Sequence, residues 1–125
     1  MSNLAHRTIE TALSGLSIAE LASLRDGGKL AAAMWLSIFN RPACQSAKIC
    51  ELVTKQENAA HLLADAATAE LHVRAPKDEI EAEIWAEALI PHFIELHDWT
   101  EVAAIASAAA TMCNATEAAP LSDAA

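Results

Sequence analysis

Thirty of the 125 residues are alanine, while only three are glycine and four are proline. Alanine loses no side-chain entropy in a helix and has the highest helix propensity, so long stretches with few breakers favour helix throughout. Strands would need β-branched and aromatic residues in alternation, separated by turn residues. The chain has no tyrosine, two phenylalanines and three tryptophans, and no alternating segment. The fold class that follows is all-α: a single-domain helical bundle of about five to six helices. One domain suits this length. A chain of this size buries enough surface to hold a core without a disulfide or a metal.

The few breakers set the expected boundaries. Ser2 or Asn3 caps a first helix that runs to about Ser14. Ser17-Ile18-Ala19-Glu20 is a capping box, and Asp26-Gly27-Gly28 ends the short helix it opens. A third helix, Lys29 to Phe39, is apolar almost all round, which places it at the centre of the bundle. Asn40-Arg41-Pro42 stops it. Residues 42–74 make one long helix or two. A change of apolar period near Gln56-Glu57-Asn58 favours two. The next helix runs from Pro76 to about Ile90, with a kink or stop at Pro91 or one more turn to His97, and Asp98 caps the last one. The bundle is expected over 1–114, with a flexible tail over 115–125. The expected core is Leu30, Met34, Trp35, Ile38, Phe39, Ile49, Val53, Leu62, Ile80, Ile84, Trp99, Val102 and Ala106.

Motifs for catalysis are missing. There is no glycine-rich phosphate loop, no GxSxG, no HExxH, no EF-hand loop and no Cys-His zinc spacing. No cofactor, metal or catalytic group is therefore expected, and the chain reads as a non-enzyme. A third-ranked alternative is a small enzyme or ligand binder using His92, His97 and Asp98. Cys44, Cys50 and Cys113 form no CxxC and read as reduced, buried small hydrophobes. The N-terminus lacks the apolar run of a secretory signal. No uncharged stretch approaches the roughly 20 residues that span a bilayer. The expected location is the cytoplasm, with no membrane partner.

The charge layout is the one asymmetric feature. Residues 1–77 carry all 8 Lys and Arg against 7 acids, a net of +1; residues 78–125 carry 10 acids and no Lys or Arg, a net of −10; together they give the formal −9. Helix dipoles account for half of the ten acids: Asp78, Glu79, Glu81, Asp98 and Glu101 lie in first turns. Glu79, Glu83 and Glu87 recur every four residues and form one acidic stripe. Like charges at that spacing cost roughly 0.2–0.5 kcal/mol per pair, so local stability does not explain it. A basic protein surface does, through complementarity and steering. The residues expected to meet a partner are Asp78, Glu79, Glu83, Glu87 and Glu95, with Trp85 and Leu89 as apolar anchors.

The expected function is non-catalytic: docking on a basic surface of a protein partner, as a small inhibitor or regulator of a nucleic-acid-handling machine. Phage anti-defence proteins, anti-CRISPR and DNA-mimic proteins among them, offer an analogy of size, charge and helicity, with no shared motif. The second reading is a structural module that self-associates into a homo-oligomer. Direct nucleic-acid binding is disfavoured, since a chain of charge −9 without a basic cluster cannot replace the counterions around phosphates.

Overall fold

The computed structural model describes residues 9–123, with side chains for 9–114. The caps expected at Ser2 or Asn3 lie outside these residues, and so do the side chains of the expected tail. Residues 9–13 are helical. Four longer helices follow: α1 (Ile18–Phe39), α2 (Ala47–Val73), α3 (Glu79–Glu95) and α4 (Trp99–Asp123), with a 3-10 turn at Pro42–Cys44. No strand occurs among the described residues. The chain is an all-α bundle.

The helix starts follow local chemistry. At Ser17 both halves of the capping box form: the hydroxyl accepts from the Glu20 amide, and the Glu20 carboxylate accepts from the Ser17 amide, each at 3.1 Å. Ser46, Asp78 and Asp98 accept from the amides three residues on, so each new helix begins with an orphan N–H satisfied.

The middle of the chain has fewer breaks than its candidate breakers offered. α1 runs straight through Asp26-Gly27-Gly28. A Cβ added to Gly28 would lie 3.0 Å from the Ala60 carbonyl oxygen and 3.0 Å from Ala64 Cβ, whereas one on Gly27 would meet nothing. Gly28 therefore lets two helices touch; it does not end one. α2 is one helix, with Asn58 exposed in its interior. α3 passes through Pro91, whose ring lies on its exposed side, and stops at Glu95. The stop is a Schellman turn: the Asp98 amide donates to the Phe93 carbonyl and the His97 amide to the Ile94 carbonyl, both at 3.0 Å, with His97 at φ 55°.

α1 and α2 form an antiparallel hairpin. Arg74, at the end of α2, donates to the Leu13 and Ser14 carbonyls just before α1 begins. α3 starts at this open end of the hairpin, and Glu95 at its far end meets Lys29 at 3.9 Å. Seventeen residues of helix extend about 26 Å, whereas the 27 of α2 extend about 40 Å. α3 therefore covers only the first part of the hairpin. α4 packs mainly on α3.

That shortfall relocates the core. Leu13, Ile18, Leu21 and Ala22 pack with Leu71, Trp85, Ala88, Leu89, Phe93 and Ile105 at the open end. Of the expected core, Val53 is buried, and Trp35, Ile38, Phe39, Ile49, Leu62, Ile84 and Val102 are half-buried. Leu30, Met34, Ile80, Trp99 and Ala106 are exposed instead. Segment 29–39 is not central: past Lys29 it has α2 on one side and, among the described residues, no third layer. Leu30 is 74% exposed and Met34 53%, with Leu52 on α2 at 61%.

Candidate functional site

α3 carries the residues expected to bind a partner, and its surroundings sort them. Its inner side is Ala82, Trp85, Ala88, Leu89 and Phe93, all buried. Trp85 is core: its indole N–H donates 2.8 Å to the Leu71 carbonyl, which satisfies the only polar atom of a buried ring. Leu89 is fully buried beside it. The two anchors expected to meet a partner are therefore unavailable to one. Ala88 is buried in the same core and Ile84 packs against it, whereas Ile80, one turn earlier, is 69% exposed.

The acids divide as well. Asp78 spends one carboxylate oxygen on the Glu81 amide at 2.8 Å. Glu95 is paired with Lys29. Glu83 and Glu87 are exposed and have no ion pair or side-chain hydrogen bond among the described residues, and Glu79 is half-buried beside them. At 100° per residue, Ile80, Glu83, Glu87, Pro91 and Ile94 share the outward side of α3. All five are exposed. The stripe is thus a mixed face, acidic groups set among exposed aliphatic ones.

The histidines and Asp98 of the alternative reading have local structural duties. Asp98 caps α4 at 3.2 Å from the Glu101 amide. His97 sits in the left-handed turn between α3 and α4, exposed. His92 is half-buried against α1, and its pKa is lowered below 6.5, first by burial and then by the positive Arg25 and Lys29; Asp65 and Glu95 act in the opposite sense. None of the three lines any of the surface grooves of about 340, 480 and 410 Å3. Among the described residues, no three His, Cys, Asp or Glu side chains gather as a metal site requires. No helix there is long and apolar enough to cross a membrane.

Arg25 is the group that sequence reasoning missed. It is 95% buried inside α1, one residue before the helix end expected at Asp26-Gly27-Gly28. Its Nη1 reaches Asp26 at 3.4 Å, while Nε and Nη2 find no acceptor among the described residues. Comparison with protein-family models, with curated proteins and with solved structures finds no match to this chain.

Proposed function

We propose that this is a non-catalytic interaction protein that docks, through the outward face of α3, on a basic surface of a protein partner. In this reading it acts as a small inhibitor or regulator of a machine that handles nucleic acid, in the manner of phage anti-defence proteins. The observation that carries the docking reading is the state of Glu83 and Glu87: exposed, without a cation partner among the described residues, and set among exposed Ile80 and Ile94. Such a face offers steering by charge and burial by aliphatic carbon together. The machine itself rests on analogy of size and charge alone.

The test is a triple reversal, Glu79, Glu83 and Glu87 each to lysine. The exposed Glu83 and Glu87 contribute only tenths of a kcal/mol each, and the first-turn Glu79 about 0.3–1 kcal/mol through the helix dipole, so circular dichroism should change little and melting only modestly. Capture of a partner from cell extract should weaken mainly through the association rate, and wild-type binding should weaken as salt rises. Equal capture by variant and wild type at low salt would end this reading. A second reading, self-association as an assembly module, is favoured by the exposed Leu30, Met34 and Leu52 of the hairpin.

A further inference from the structure

We infer that a second copy of this chain is a partner of the α3 face, docking with the uncovered part of its α1–α2 hairpin; the inference rests on the reading of α3 as a docking face.

The hairpin beyond the reach of α3 exposes apolar residues that no other described element covers, Leu30, Met34 and Leu52, on a segment of the opposite charge. Residues 29–55 hold four cations, Lys29, Arg41, Lys48 and Lys55, against one acid, Glu51, a net of +3. Lys29 is used by Glu95 within the chain, and Lys55 lies 3.7 Å from Glu51. At 100° per residue, Lys48, Leu52, Lys55 and Ala59 share one side of α2. All four are exposed. This side matches the outward side of α3 in make-up: basic groups flanking an aliphatic one, against acidic groups flanking Ile80 and Ile94.

Geometry keeps the two faces of one molecule apart. α3 lies along the open end of its own hairpin and stops at Lys29, and its acidic side points outward, away from α1 and α2. An intramolecular contact is not available, whereas a second molecule supplies both halves. The span fits too. Lys48 and Lys55 are about 10 Å apart along α2, and Glu83 and Glu87 about 6 Å apart along α3, a difference that the long lysine side chains bridge. With a net charge of −9, two copies cannot meet acidic face to acidic face; the hairpin is where this chain offers the other sign. The contact is heterologous on each helix, so it either closes as a two-fold pair with two equivalent contacts or propagates head to tail.

Reciprocal charge exchange tests this. One variant is Lys48→Glu with Lys55→Glu; the other is Glu83→Lys with Glu87→Lys. Every position is exposed, so circular dichroism should match wild type for both. In sedimentation velocity over a concentration series at low salt, wild type should exceed the 13.2 kDa monomer. Each variant alone should associate at least about tenfold more weakly, since like charges then face each other. An equimolar mixture should recover association, because each variant meets its complement. Isothermal titration of one variant into the other should give a 1:1 ratio. Wild type that stays monomeric throughout overturns the inference, and so does a mixture that associates no better than either variant alone. If wild type is monomeric yet the Glu83→Lys, Glu87→Lys variant loses a captured basic protein, the second copy falls and the docking face of α3 stands. If that variant changes neither self-association nor capture, both fall.

Discussion

Gly27 and Gly28 are identical neighbours with opposite consequences. Both weaken a helix interior by roughly 0.5–1 kcal/mol relative to alanine. Gly27 faces open space, so Gly27→Ala should raise stability by about that amount. At Gly28 the new methyl would press on the Ala60 carbonyl and Ala64, and overpacking of this kind costs about 1–3 kcal/mol. Gly28→Ala should therefore fall below Gly27→Ala in denaturant midpoint; equal midpoints would mean that the α1–α2 contact yields freely. His92 gives a pH signature. Its folded pKa lies below that of the unfolded chain, so the unfolded state takes up the proton first. The stability it contributes is present above about pH 6.5 and is lost as pH falls through the lower folded value. His92→Gln should flatten the decline of melting temperature below that pH. Parallel profiles for variant and wild type would show that some other group drives the decline.

Among the elements, α3 shows how a helix is stopped without the usual residue. Its C-terminal turn needs a left-handed residue, a position that glycine occupies most often, and His97 holds it at φ 55°. A side chain there costs about 1–2 kcal/mol. His97→Gly should therefore raise the melting temperature, by about 0.5–1 kcal/mol of stability after the added unfolded-chain entropy is subtracted. A fall would mean that the imidazole contributes more than its backbone strain removes. Of the kink, the stop and the further turn that Pro91 left open, the further turn forms: a proline on the exposed side of α3 leaves its unmatched carbonyl near solvent, and the helix continues one turn past it. The caps at Ser17 and Asp98 were legible because they depend on neighbours three residues away.

For the whole molecule, the length of α3 decides more than any motif. A hairpin of two amphipathic helices buries only the seam between them, and a third helix must cover the rest. Here the third helix is short, so Trp85 and Leu89 take the core while Leu30 and Met34 remain at the surface. That reversal removed two expected partner residues from the α3 face and exposed an apolar surface on the hairpin. The acidic stripe was visible in order and spacing; that Glu83 and Glu87 lack a cation among the described residues was not, because ion pairs such as Lys29–Glu95 join residues 66 positions apart. Alanine content, caps and the split of charge at residue 77 follow from the amino acids alone, since helix propensity, capping and net charge act over a few residues or none. Which face of each helix is buried, whether a glycine breaks or packs, and which acids stay unpaired were settled only by tertiary structure. Those depend on how far one helix reaches along another, a length set by two turns distant in the chain.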